Sequence, residues 1–174
     1  MQPRYTEGVL ITIERITHEN VELFKSVRLN ALSDSPSAFG STYAREAAFS
    51  ETEWLARLER WNGKKGIGFL AMDGDAGCGI AGALVDLENA TLAQLVSMWT
   101  APTHRRRGVG KLLVDAVVDW AKPLKIKTLL LMVVSTNGPA IRFYERLGFA
   151  KTGRTEPYPN DAAAVEYEML RTLF

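Results

Sequence analysis

Residues Gln94 to Gly110, QLVSMWTAPTHRRRGVG, decide how the rest of the chain is organised. An apolar strand runs into a Pro-marked turn, three consecutive arginines follow, and Gly108-x-Gly110 opens a helix. A helix that begins on glycines presents backbone N–H groups with no intrahelical acceptor at the positive end of its dipole, and Arg105, Arg106 and Arg107 reinforce that field. The stretch reads as an anion seat, best suited to a diphosphate. The commoner phosphate loops do not fit. A Walker A loop needs Gly where Arg105 stands and Ser or Thr where Leu112 stands, and the Rossmann fingerprint needs a third Gly where Leu113 stands.

Working outward, Gly108 to Lys122 carries Val109, Leu112, Leu113, Ala116, Val117 and Trp120 on one helical stripe, with Pro123 just beyond its end. Lys127 to Val134, KTLLLMVV, is a continuous apolar strand. Strand, helix and buried strand in that order make a βαβ crossover, so Leu92–Thr100 and Lys127–Val134 are expected to run parallel. Upstream, Gly66–Met72 and Gly79–Leu87 are short apolar strands joined through DGDAGCG, and with Leu92–Thr100 they predict an antiparallel meander. Alternation is weak in the third strand, which predicts cover on both faces.

Val9 to Ile16 alternates as a half-buried strand, and Val21 to Leu32 has helical spacing. Asp34 to Tyr43 has the Pro, Gly and Ser content of a loop but carries Phe39 and Tyr43, so it is either pinned to the core or turned toward a substrate. Ser50 and Glu53 form a capping box ahead of Trp54, Leu55 and Leu58. Asn137 to Leu147 is a further helix ended by Gly148, and Phe149–Arg154 with Ala163–Leu173 read as a terminal strand pair. The expected fold is α/β (α+β): a mixed central sheet of about six to seven strands, flanked by about four helices, in a single domain over residues 1–174.

The 174 residues suffice for a real core, and 47% hydrophobic and 24% charged residues are ordinary for a soluble protein. Net charge of +1 gives no broad electrostatic case for nucleic acid. Cys78 cannot support an internal disulfide and, flanked by glycines with no histidine evidently near, reads as structural. The N-terminal MQPRYTEG has no apolar h-region, and Leu129–Val134 is too short to span a bilayer, so a cytoplasmic protein without membrane contact is expected. His18 and His104 read as surface residues, and nothing has metal-ligand spacing.

Taken together, Arg105-x-x-Gly108-x-Gly110 after a strand and Asn137-x-x-Ala140-Ile141-x-x-Tyr144-x-x-x-Gly148-Phe149 after its parallel partner resemble the GCN5-related N-acetyltransferase (GNAT) family. The resemblance implies a splayed parallel strand pair and an acetyl-CoA site. Its pantetheine arm falls on the backbone of Met98, Trp99 and Thr100, its diphosphate on Arg105, Arg106, Arg107, Gly108, Val109, Gly110 and Lys111, and a further contact on Asn137. Tyr144 matches the family's general acid, the alternative being a core tyrosine packed on the sheet. Arg142 and Arg146 reach the nucleotide phosphates or form a solvated face.

The base is where this chain departs from the family. Gln94 stands where the histone-type branch keeps a glutamate, and Met132 where a ribosomal-protein branch keeps one. An amine of pKa ~10.4 must lose a proton before it attacks, so Glu46, Asp86, Glu88 or a relayed water is needed, with Glu46 the first choice because it follows the loop that borders the acceptor pocket in this family. The resemblance implies direct transfer of acetyl from acetyl-CoA to a primary amine of a small molecule or a peptide, with homodimers common. A catalytically silent acetyl-CoA-binding or regulatory module is the alternative that the missing glutamates suggest.

Overall fold

The computed structural model describes residues 4–6 and 9–174, with the side chains of Arg4, Tyr5, Thr6 and Val9 left aside; the reading of MQPRYTEG falls mostly outside it. Strands β1 (Arg4–Thr6), β2 (Val9–Arg15), β3 (Gly66–Asp73), β4 (Ala76–Val85), β5 (Leu92–Thr100), β6 (Thr128–Val134), β7 (Ala150–Tyr158) and β8 (Asp161–Thr172) form one sheet in the order β1-β2-β3-β4-β5-β6-β8-β7. Every neighbouring pair is antiparallel except β5 and β6. The helices are α1 (Val21–Asp34), α2 (Tyr43–Ala47), α3 (Glu51–Leu58), α4 (Val109–Ala121) and α5 (Gly138–Arg146). The mixed sheet with its meander and parallel pair is as expected, with the three-residue edge strand β1 and the short helix α2 in addition.

Two boundaries differ from the expectation for clear reasons. The DGDAGCG segment is mostly strand: β3 and β4 meet at Gly74–Asp75, where Gly74 takes φ 58°, and the residue surplus is absorbed by a bulge between Ala71 and Met72. The terminal pair is also longer than Phe149–Arg154 and Ala163–Leu173, because β7 and β8 close on Tyr158 and Asp161.

The sheet carries a core on each face. On one, α4 and α5 bury Val109, Leu113, Val117, Ile141 and Tyr144 against Phe69, Leu95, Leu131 and Met169. On the other, α1 and α3 bury Phe24, Val27, Leu32 and Trp54 against Leu70, Ile80 and Trp99. Trp61 lies flat on this second face because Gly68 and Gly82, paired across β3 and β4, carry no Cβ; one built there would stand 2.2 Å and 2.6 Å from the indole.

The segment Asp34 to Tyr43 is pinned. Phe39 is buried, and the hydroxyl of Tyr158 donates to its carbonyl at 2.7 Å while the Asn160 amide donates to the same carbonyl at 2.8 Å. The strap therefore runs from α1 to the β7–β8 turn across the α1 side of the sheet.

One polar cluster ties α1, α2 and α3 together. Glu46 is 1% exposed and accepts from Arg28 Nε at 2.9 Å and Nη2 at 2.8 Å, while Arg57 Nη1 lies 2.6 Å from its other side. Burial alone raises this carboxyl; the hydrogen bonds and charges of Arg28 and the charge of Arg57 overcome burial and hold it below the usual range. With the folded value below the unfolded one, the contribution is full above the unfolded pKa and is lost as pH falls through the folded pKa. Glu46→Gln is expected to lose about 3 kcal/mol at neutral pH, because the buried Arg28 and the half-buried Arg57 are left with no countercharge. Denaturant melts checked from pH ~7 to ~3 should show the variant's deficit shrinking as the wild-type carboxylate protonates.

Candidate active site

The parallel ladder between β5 and β6 has three rungs, Leu92↔Thr128, Ala93↔Leu129 and Gln94↔Leu130, and ends there. Each strand stays tied to its outer neighbour: β6 pairs with β8 from Thr128 to Val134, and β5 pairs with β4 as far as Thr100. The two inner edges beyond Gln94 and Leu130 therefore separate into a cleft with unpaired backbone groups on both walls. Buried backbone groups need partners, so such a cleft suits a ligand with amides of its own.

A bulge sits in the β5 wall. Between the pairs Gly82↔Val96 and Ile80↔Trp99, Ser97 and Met98 oppose Ala81 alone, and Ser97 takes φ 58°. The bulge also resets which face each side chain takes: Leu95 and Met98 join the α4 core, whereas Trp99 joins the α1 core. That phase change is why alternation is weak in this strand's sequence.

At the far end of the cleft stands the N-terminus of α4. Arg106 and Gly108 adopt left-handed φ values of 60° and 79°, which curls the backbone before Val109 so that the first-turn amides face outward. Gly110 is required by packing, since a Cβ there would lie 2.9 Å from the Phe143 ring of α5. Arg106 and Arg107 are exposed at this end, and Lys111 is paired with Asp115 at 2.7 Å. Arg105 points elsewhere: its guanidinium is held by Asp34 and donates through Nε to the Thr100 carbonyl at 3.0 Å. Trp99 Nε1 donates to the same Asp34 carboxylate at 3.0 Å, so Arg105 and Trp99 together fasten the end of α1 to β5.

Tyr144 lies on α5, 9% exposed, at 5.2 Å from the Phe143 ring and 5.7 Å from Phe149. Burial pushes the phenol well above its ordinary pKa, and among the described residues nothing hydrogen-bonds its hydroxyl. Burial thus favours the neutral phenol. Asn137 caps α5, accepting from the Ala140 amide at 3.3 Å, so its side-chain nitrogen is the group left to reach a ligand. Arg142 and Arg146 are exposed, and Arg142 stands over Gly138.

None of the carboxylates expected from sequence is placed to accept a proton in the cleft. Glu46 is locked between two guanidiniums. Asp86 accepts from the Glu88 and Asn89 amides in the β4–β5 turn, beside Leu92, and Ser97 of the bulge lies five residue steps along the strand from Leu92, about 16 Å. Glu88 shares that turn. Cys78 is buried, with its thiol pushed up to about 11 by burial and by Asp73, so it is inert. His104 is no simple surface residue: its ring is held between Thr103 Oγ1 at 2.8 Å and Asp73 Oδ2 at 2.9 Å. His18 is exposed beside Glu59.

The structure adds two carboxylates that the sequence reading missed. Directly opposite residues of an antiparallel pair share a face, so Glu168, across from Met132, and Glu166, across from Val134, stand on the α1 side of the sheet. Glu168 accepts from Thr152 Oγ1 at 2.8 Å. Glu166 is raised in pKa by burial first and by Glu156, its neighbour on β7, second. The alternation in Val165-Glu166-Tyr167-Glu168-Met169 was a visible signal, but only the register shows which strand residue each carboxylate meets. On the opposite flank of the bulge, the same face holds a cavity of about 200 Å³ lined by Arg57, Arg60, Trp61, Leu84, Val96 and Ser97.

Comparison with known proteins agrees with this architecture. The model of the acetyltransferase (GNAT) family matches residues 29–149. An N-acetyltransferase of Methanocaldococcus jannaschii is 32% identical over 147 residues, which is 79% of this chain and 60% of that protein. The ribosomal protein bS18 alanine N-acetyltransferase of Salmonella typhimurium is 37% identical over 76 residues, 43% of this chain and 49% of that one. The chain spans between 23% and 60% of the length of the curated relatives it matches. Among solved structures, the PaiA N-acetyltransferase of Thermoplasma acidophilum, in complex with coenzyme A, superposes with a TM-score of 0.74 at 16% identity, covering 93% of this chain and 98% of that one. A family model that covers most of the chain, on a sheet that splits as this one does, makes the protein a member of the GNAT acetyltransferase family.

Proposed function

We propose that residues 1–174 form one N-acetyltransferase domain that transfers acetyl from acetyl-CoA directly to a primary amine. The observation that carries the reading is the pair of unpaired strand edges beyond Gln94 and Leu130, leading to the outward amides of α4. The pantetheine amides pair with the backbone of Met98 to Thr100, and the diphosphate sits on the amides of Arg106 to Lys111, with Arg106 and Arg107 supplying charge. Arg105 supports this site by holding β5 to α1 rather than by touching phosphate. The bS18 alanine enzyme, whose acceptor is an amine, supports the N-acyl outcome.

The amine attacks the thioester carbonyl from the α1 side. Its nitrogen–carbon bond forms, negative charge collects on the carbonyl oxygen, and backbone donors freed by the Ser97 bulge stabilise it. The carbon–sulfur bond then breaks, and the departing thiolate takes the phenolic proton of Tyr144, which solvent restores. Before attack the substrate ammonium gives up one proton through water to Glu168, the carboxylate across from Met132, and a second proton of the attacking nitrogen passes to solvent as the intermediate collapses. The resemblance puts Met132 where one branch of the family keeps a glutamate, and Glu168 lies across from it on the same face, one strand outward.

A thiol-release assay with calorimetry tests both groups. Tyr144→Phe should lower kcat about 100-fold or more while acetyl-CoA affinity stays within about two-fold, since the phenol serves the leaving group alone. Glu168→Gln should lower kcat/KM at neutral pH and recover toward wild type near pH ~10, where the amine loses its proton unaided. A loss that persists at all pH values would make Glu168 structural.

A further inference from the structure

The cavity beside the bulge has a charge that its own residues leave uncompensated. Arg28 and Arg57 share one carboxylate, Glu46, which leaves that buried cluster at +1, and Arg60 adds a second positive charge at the cavity wall. None of the six lining residues is acidic. Glu59, next to Arg60 in the chain, is 75% exposed in its side chain and turned toward His18 Nε2 at 3.8 Å. Burial is the largest influence on Arg57 and lowers its pKa; Glu46 opposes it, and the charges of Arg28 and Arg60 add to it. Like charges gathered around one cavity are stabilised by an anion placed between them.

The remaining walls restrict what that anion belongs to. Trp61, Leu84 and Val96 are apolar, and Ser97 adds one hydroxyl, so the space accepts a small organic group with a charged end. The volume of about 200 Å³ exceeds the roughly 30 Å³ share of one water several-fold. Ser97 is a bulge residue and Val96 precedes it on β5, which puts the cavity beside the opening where the thioester carbonyl would lie. Across the cleft, the same face carries Glu168 and Glu166. An acceptor lying over the cleft therefore meets carboxylates on its β8 side and guanidiniums on its α3 side.

We propose that the acceptor is an amino acid, with its amine over the cleft and its carboxylate held by Arg57 and Arg60 in this cavity. The proposal rests on the acetyl-transfer reading above and deepens it by naming the acceptor class. A guanidinium pair recognises a carboxylate by charge-assisted, forked hydrogen bonds that a carboxamide or a bare amine cannot reproduce. Polyamines are disfavoured, because their second ammonium would enter a space already carrying excess positive charge.

The test is a matched acceptor set assayed with the purified protein: the twenty standard amino acids, their carboxamides, their decarboxylated amines, and putrescine and spermidine. The best acceptor should be a free amino acid whose carboxamide has a kcat/KM lower by about ten-fold or more. Arg60→Gln should raise KM for that amino acid and remove most of the discrimination, with KM for acetyl-CoA unchanged, and Arg60→Lys should restore part of it. A best acceptor that is a carboxamide, an amine without a carboxylate or a polyamine overturns the proposal and leaves acetyl transfer standing. So does acetyl-CoA binding with no turnover across the set. Failure to bind acetyl-CoA at all overturns the reading beneath it.

Discussion

The structure depends on a sheet that is allowed to come apart at one place. In the middle of eight strands, β5 and β6 share three rungs and then each follows its outer neighbour. Opening a ladder in the centre of a sheet is costly, since backbone donors and acceptors on two walls lose their partners away from bulk water. The opening is held because β6 is paired with β8 from Thr128 to Val134 and because the bulge at Ser97 turns β5 away. Ser97 itself sits at a positive φ that costs a non-glycine residue of the order of 1 kcal/mol or more, so the surrounding packing has to enforce it.

Everything else is arranged around the two sides of that opening. On the α4 side are the outward amides, the arginines at 106 and 107, and the buried phenol of Tyr144, which suit an acyl thioester and its leaving group. The α1 side carries carboxylates, each held by partners: Glu46 between Arg28 and Arg57, Asp34 between Trp99 and Arg105, and Glu168 by Thr152 and Arg154. The first two are mainly fasteners. They hold three helices and the Asp34–Tyr43 strap in place against strands that would otherwise have an exposed apolar face. A carboxylate used this way is stabilised as an anion and is a weak base for the same reason.

Much of this was legible in the sequence. The crossover was visible because Leu92–Thr100, an amphipathic helix and KTLLLMVV follow one another with breakers in the right places, and Gly108, Gly110 and Asn137 mark helix starts whose chemistry is local. Three features were not legible. The bulge lies at a serine, with no glycine to announce the left-handed turn. Arg105 reads as one of three equivalent arginines until folding brings Asp34 to it from seventy-one positions away. Glu46 follows an acceptor-side loop and so reads as a base, yet Arg28 and Arg57 reach it from two other helices. For Arg105 and Glu46 the deciding partners lie on other elements of the chain, and local pattern carries no record of them.

We propose that the opening between β5 and β6 holds the pantetheine and diphosphate of acetyl-CoA. Backbone amide chemical shifts of the labelled protein, followed while coenzyme A is added, test it most directly. The largest changes are expected at Met98, Trp99, Thr100 and from Arg106 to Lys111, with the amides of β1 to β3 nearly still. Binding whose shifts fall elsewhere, or no change at millimolar coenzyme A, would contradict it.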